Sequence, residues 1–378
     1  MTLARRLWAP LAIAVVLIAL ALDVSNRYEP IGIDFHTYLA AARVGVQHGW
    51  SLLYDQGLVA IEQKRLAPDQ IAQPFLSPPT VAWLVTPLVP LPYWVAYWLW
   101  AAITLVAFAL AVLWAARRRD LASLIAVAAA LAPWWVIHAV NLGQVAPLIA
   151  VGAVVSLRFA RERRDVAAGL ALSLVYLKPN TAFLIPIALL VAGRYKTFAT
   201  WAAVGALLAL VGLVTMGTGG LSMYISQLTG TLPSGAGYLT LEGAFGVSGL
   251  AATGLRVAIV AATLVAAFRL RNSPGLVIAA GTLGSLLAVQ YLHGSDLCLL
   301  SVAAWAVWEE RPAWLWRVPL AVGWLIASPY VDRSMFKLGL NRYPLLELAL
   351  FAALLLLPLT RGDRGVTLSS EPALESGS

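Results

Sequence analysis

Residues 166–192 read VAAGLALSLVYLKPNTAFLIPIALLVA, and the topology turns on whether this stretch crosses an apolar layer once or folds back at Lys178-Pro179-Asn180. Hydrophobic residues make up 61% of the 378, and Asp, Glu, Lys and Arg only 12%. No soluble domain of this size covers so much apolar surface, so the chain reads as an integral membrane protein. In such a protein Lys and Arg gather on the cytoplasmic side. Suppose the N-terminus is cytoplasmic and 166–192 is a hairpin. Then Arg5, Arg6, Arg117, Arg118, Arg119, Arg158, Arg161, Arg163, Arg164, Arg194, Lys196, Arg269, Arg271, Arg311, Arg317, Arg361 and Arg364 all fall inside, which is 17 of the 26 Lys and Arg residues. A single crossing sends every later cluster outside, so the hairpin is the reading adopted. Paired short segments with a polar tip are tolerated only around a protein-enclosed or watery cavity. Lys178 is therefore expected to point into a cavity that opens outward.

Working outward, apolar segments fall near 7–24, 79–115, 121–139, 144–158, 166–178, 180–192, 198–216, 251–268, 274–291, 295–308, 313–328 and 344–360. A simple span needs about 20 residues, and several of these are shorter. The 79–115 stretch, broken by Pro87, Pro90 and Pro92, predicts a short half-helix before a full span. The fold class expected is an all-α polytopic membrane protein with about twelve transmembrane or partly embedded helices and both termini cytoplasmic. Residues 1–360 form one domain in this reading, and the polar tail 361–378 is disordered. The first apolar segment lacks a small-residue cleavage site and is read as a retained helix. Outer regions are a long first loop, 26–78, then 217–250, the turn at 293–296, and 329–344. No internal repeat of the kind many transporters carry is visible.

The net charge is +8, but the positive residues form short clusters between apolar runs, a topology pattern that argues against nucleic acid as a partner. Cys298 is the only cysteine, which excludes an intrachain disulfide and a cysteine metal site. Arginine-rich, Ala/Val/Leu-rich usage points to a bacterial plasma membrane protein.

Charges in or beside a membrane cost about 2.5–3.5 kcal/mol at a helix centre, so those retained need a reason. Asp34 stands in the first outer loop, where it either serves chemistry or caps an amphipathic helix from Thr37 to Gln47. Asn141 and Gln144 flank an outer helix end; amides there bind sugar hydroxyls or tie two helix ends together. Lys178 calls for an anion, either a carboxylate or a ligand phosphate, or else snorkels to the interface. His293 and Asp296 form a site or cap the following helix. Neither His36 nor His293 has metal-site spacing.

In order, the chain carries Gly32-x-Asp34-Phe35-x-x-Tyr38, Leu53-Tyr54-Asp55, Ser77-Pro78-Pro79 followed by Pro87 and Pro92, Gly143-Gln144-x-x-Pro147-Leu148, Leu177-Lys178-Pro179-Asn180, Arg194-Tyr195-Lys196, and Tyr291-Leu292-His293-Gly294-Ser295-Asp296-Leu297. This order, from about residue 30 to 310, resembles glycosyltransferase family 87 of the GT-C superfamily, which includes polyprenyl-phosphate-mannose-dependent mannosyltransferases. The chain departs from the usual family pattern at Ser77, where tyrosine is common, at Val289-Gln290, where Ser-Pro is common, and around Ser295-Asp296.

The resemblance implies a GT-C-type architecture and an inverting transferase that takes a sugar, mannose foremost, from a polyprenyl-phosphate donor at the outer leaflet. The acceptor it implies is a glycolipid or polysaccharide, and membrane lipids surround the enzyme. Asp34 matches the family's first-loop acidic residue and is the expected general base. A phosphate leaving group departs as a stable anion and needs positive charge rather than a second carboxylic acid. Lys178, Arg43, His293 and Arg342 are the candidates for it. His36, Tyr38, Asn141, Gln144, Asn180 and Asp296 are the candidates for sugar or acceptor contacts. With no Asp-x-Asp in the first outer loop, no obligatory metal is expected, and no cofactor beyond the donor. Two other classes fit the same residues less well: a lipid or sugar transporter, and an outer-leaflet acyltransferase using His293.

Overall fold

The computed structural model describes residues 15–17, 19–20, 30–116, 121–230, 239–310, 314–328 and 342–356. Most of the first apolar segment, the 329–341 part of the last outer loop, and the tail lie outside these residues. Helices succeed one another as α1 (Ile33–His48), α2 (Gln56–Leu66), α3 (Pro79–Val85), α4 (Tyr93–Ala115), α5 (Leu121–Leu131), α6 (Trp134–Leu142), α7 (Ala146–Arg161) and α8 (Asp165–Leu172). They continue as α9 (Leu184–Val191), α10 (Tyr195–Thr229), α11 (Leu241–Phe245), α12 (Gly249–Arg269), α13 (Pro274–Ala288), α14 (Cys298–Glu309), α15 (Trp314–Ala327) and α16 (Arg342–Leu356). No strand occurs among the described residues. Proline sets many starts: Pro78, Pro92 and Pro133 precede α3, α4 and α6, and Pro274 opens α13. At these positions the missing N–H has no helical partner to lose.

The 166–192 stretch folds back. Asp165 and Arg194, which bracket it, pair at 3.3 Å. Helices α8 and α10 run parallel: Gly169 lies against Thr197 and Thr200, and the Tyr176 ring stacks on Trp201 with centroids 5.0 Å apart. The antiparallel α9 returns between these levels and packs on α13, where the Leu184 N–H donates to Ser285 Oγ at 2.9 Å. Two 3-10 turns, Ser173–Leu177 and Pro179–Thr181, form the tip on either side of Lys178.

The expected helical class holds, but the expected number of spans is met only in part. Among the described residues α4, α10 and α12 are long and apolar enough to cross a membrane. The bent pair of α5 and α6, with an angle of 51° at the Pro133 break, makes a fourth if it is one span. Others, such as α13 and α16, are apolar but only 15 residues long, about 22 Å at the helical rise, against a hydrocarbon layer of about 30 Å. Helix α4 carries its own ruler. Its exposed stripe, which includes Val95, Leu99, Ile103, Val106 and Leu110, is flanked by exposed Trp94 and Trp98 at one end and Trp114 at the other. Twenty residues separate Trp94 from Trp114, about 30 Å of helix, the spacing of two interfacial aromatic belts.

Two local expectations change. Residues 217–229 are helical rather than loop, because α10 continues to Thr229 across a kink at Gly217, whose φ of 65° and ψ of −177° lie outside the helical region. Asp34 is not an N-cap: α1 begins at Ile33 after Gly32, which takes φ 74°, so Asp34 sits within the first turn. There its charge complements the helix dipole.

A Cβ at Gly281 of α13 would sit 2.7 Å from Ile185 Cα and 3.0 Å from the Leu184 carbonyl, both backbone of α9. Gly281→Val therefore has to push the hairpin's returning arm away. We expect a loss of about 1–3 kcal/mol, read as a lowered thermal midpoint of the detergent-solubilised protein. An unchanged midpoint would contradict this packing.

Candidate active site

Helix α1 presents Asp34 and Tyr38, four residues apart, on one face. An adjoining face anchors it: Phe35 is fully buried and stacks on Trp100 at 5.8 Å, with Tyr93 and Tyr97 beside it. The turn before α1 is bolted to the end of α6. The Gly32 N–H donates to the Asn141 carbonyl at 2.7 Å, Tyr97 Oη donates to that carbonyl at 2.9 Å, and Tyr93 Oη donates to the Gly32 carbonyl at 2.9 Å. Gly143 ends α6 at φ 74°, and a Cβ there would sit 2.5 Å from Phe35 Cβ. Only glycine meets both demands, and it delivers Gln144 to the face of α1 that carries Asp34. Gln144 Nε2 donates to Asp34 Oδ2 at 2.7 Å, and Tyr38 Oη donates to Gln144 Oε1 at 3.0 Å.

From the other side comes the hairpin tip. Lys178 Nζ donates to Asp296 Oδ1 at 2.5 Å, with Lys178 15% exposed and Asp296 fully buried. Asp296 Oδ2 accepts the His293 N–H at 3.0 Å, and the Asp296 N–H returns to the His293 carbonyl at 3.0 Å. Asp296 thus caps the 3-10 turn Gly294–Leu297 and neutralises Lys178 at once. Tyr291 Oη hydrogen-bonds His293 Nε2.

These groups enclose a cavity of about 690 Å³. Asp34, Tyr38, Gln144, Lys178, Asn180 and His293 line it, all of them expected from the sequence. Four other expected residues do not. His36 is buried behind α1, its Nε2 2.6 Å from the Gln63 carbonyl. Arg43 lies nine residues along α1 from Asp34, about 13 Å of helical rise, and its buried Nε has no hydrogen-bond partner. Asn141 contributes its backbone carbonyl to the anchoring of Gly32. Asp296 stands behind Lys178. The Arg342 side chain lies outside the described residues. The wall also includes Thr37, Gln73, Ser77, Gln290 and Tyr291, and Tyr224, Gln227 and Leu228 from α10 beyond Gly217. The last three are spaced to share a helix face, a signal hidden by reading 217–250 as loop. Tyr224 stacks on Tyr54 with centroids 4.6 Å apart, which holds this arm against the first loop. Among the described residues no three His, Cys, Asp or Glu side chains converge to hold a metal ion.

Burial lowers the pKa of His293 to about 4, and the Lys178 charge pushes the same way against the opposing Asp296. At neutral pH His293 is an uncharged hydrogen-bonding group. Burial, then the Asp34 charge, push the Tyr38 phenol well above its ordinary range, so it keeps its proton.

A helical membrane protein with a largely apolar cavity at one end of its helices, into which a few polar and charged side chains converge, is the class this fold and site define. The sequence model of glycosyltransferase family 87 matches residues 75–329, more than half of the 378, and the chain belongs to that family, a family of membrane glycosyltransferases. The matched region carries Gln144, Lys178, Asn180 and His293; α1 with Asp34 precedes it. No curated protein and no solved structure gives a significant match to the chain.

The pair of Lys178 and Asp296 is buried enough that removing one partner strands the other. We expect Lys178→Met to cost about 3–5 kcal/mol and Lys178→Met combined with Asp296→Leu to cost less than the single change. Thermal denaturation of the three proteins decides this, and simple additivity would rule it out. The His293 shift has its own sign. Its folded pKa of about 4 lies below the ordinary 6.5, so between these values the unfolded chain takes a proton that the folded one refuses. Stability should fall as pH drops from about 6.5 to about 4, and His293→Gln should flatten part of that slope.

Proposed function

We propose that the cavity transfers a sugar, mannose foremost, from a polyprenyl-phosphate donor to a hydroxyl of a glycolipid or polysaccharide, with inversion at the anomeric carbon. The observation that carries this reading is that one carboxylate and one ammonium, Asp34 and Lys178, reach the same cavity from different elements. In the reaction the acceptor oxygen forms a bond to the anomeric carbon while the bond to the phosphate oxygen breaks. Asp34 takes the acceptor's proton as that bond forms. The lipid phosphate leaves with the electron pair and meets the N–H donors of Lys178 that Asp296 does not use, with neutral His293 available for hydrogen bonding. Asn180 and Thr37, which line the cavity, meet hydroxyls of the sugar or the acceptor in this proposal.

The cavity faces away from the cytoplasm in this proposal. Two features support that side. Tyr93, Tyr97 and Trp100, near the first aromatic belt of α4, hold the turns around the site. At the other end, Arg161 reaches the Ala115 carbonyl at 3.3 Å and Arg158 lies 5.5 Å from the Trp114 ring. These two arginines lie at the end of the α4 helix opposite the cavity, in keeping with the positive-inside tendency. The prenyl chain has apolar surface to follow along α10, where Leu207, Leu210 and Val214 are exposed.

Membranes containing the protein, given radiolabelled prenyl-phosphate mannose and octyl mannoside, should form a labelled glycoside. Asp34→Asn should lower that rate by about 10²–10⁴-fold at unchanged expression and thermal midpoint. Undiminished transfer by the folded variant would overturn the base assignment.

A further inference from the structure

Resting on the reading of Asp34 as the base, we propose that Gln144, held by Tyr38, is a positioning residue for the Asp34 carboxylate rather than a contact for sugar or acceptor. The hydrogen bonds leave one arrangement. An ionised carboxylate only accepts, so the Gln144 amide must turn its Nε2 toward Asp34, as it does at 2.7 Å. Its Oε1 then faces Tyr38 and must accept, and the phenol donates to it at 3.0 Å. The phenol keeps its proton, so this direction is not reversed near neutral pH. Gln144 and Tyr38 are each only 5% exposed, and water competes little for either bond.

Gln144 has therefore already committed its carbonyl and one N–H to the protein. One N–H and one Oε1 lone pair remain, but a hydroxyl that displaced either committed bond would leave a buried group unpaired, which costs more than a substrate hydrogen bond returns. What the pair does instead is hold Asp34 Oδ2, and with it the plane of the carboxyl group. The placement is not incidental. Tyr38 comes from the same face of α1 as Asp34, while Gln144 comes from the turn that Gly143 presses against Phe35. The orientation of the carboxylate is thus set by two elements at once.

The amide N–H also stabilises the charged form of the carboxylate, and its removal makes the base harder to ionise. The test is the pH dependence of kcat/KM for the full-length protein in membranes, with prenyl-phosphate mannose as donor and octyl mannoside as acceptor. Gln144→Leu should move the acid limb upward by about one pH unit, the size of one hydrogen bond to a charged group. Tyr38→Phe removes a single oxygen and should move the same limb the same way by less. An unmoved acid limb with a raised KM for octyl mannoside would make Gln144 an acceptor contact and overturn the proposal. If Gln144→Leu does not fold or is inactive, Tyr38→Phe decides: a moved limb supports the relay and an unmoved one ends it. Asp34→Asn separates the two levels. If that variant keeps its activity, the base assignment fails, whatever the limb does in the others. If it is inactive and the limb stays put in Tyr38→Phe and Gln144→Leu, only the positioning role fails.

Discussion

A lysine at the tip of a buried hairpin has to meet an anion, and much of this structure follows from the one it meets. Asp296 approaches Lys178 to 2.5 Å while its second oxygen caps the turn that His293 begins. One carboxylate thereby fixes the tip of 166–192 against the connection between α13 and α14. With that contact made, the helix breaks at Lys178, Gly143 and Val289 cluster around one cavity. Broken helices expose backbone groups that an apolar medium cannot satisfy. Gathering the breaks around a protein-enclosed cavity that carries polar side chains is the arrangement that lets short helices persist beside long ones.

The hairpin was legible because charge is counted on both sides of it. Arg158, Arg161, Arg163 and Arg164 before the stretch, and Arg194 and Lys196 after it, return to one side only if the chain folds back; the contact between Asp165 and Arg194 is that return. The half-helix before Tyr93 was legible from its prolines. The number of full spans was not. Apolar composition does not distinguish a 15-residue buried helix such as α13 from a membrane-length one such as α10, because apolar side chains suit a protein interior and a lipid-facing surface alike. Nor was the helix beyond Gly217 legible: Gly, Ser and Thr in that segment read as loop, and its ordering comes from Tyr224 stacking on Tyr54, a tertiary contact.

The site was legible in residue type and less so in direction. Asp34, Gln144, Lys178 and His293 reach the cavity as their motif order implies. His36 and Arg43, on the same helix as Asp34, do not, since one face of α1 serves the cavity and the rest serves packing. Sequence spacing alone left that choice open, because α1 is apolar enough on several sides to be turned either way. The packing of Phe35 against Trp100 and the pinning of Gly32 make the choice. His293 was counted among the cations, and burial beside Lys178 removes its charge at neutral pH.

Helix α10 joins two environments through Gly217. Its first half presents Leu207, Leu210 and Val214 outward, and its second half supplies Tyr224, Gln227 and Leu228 to the cavity wall. A membrane helix tilts when bilayer thickness changes. In a straight rod that tilt would swing the far end and reshape the wall. The rod is not straight here: Gly217, at φ 65° and ψ −177°, holds a backbone conformation open essentially only to glycine, so the direction of the cavity-lining arm is written into the absence of a single side chain.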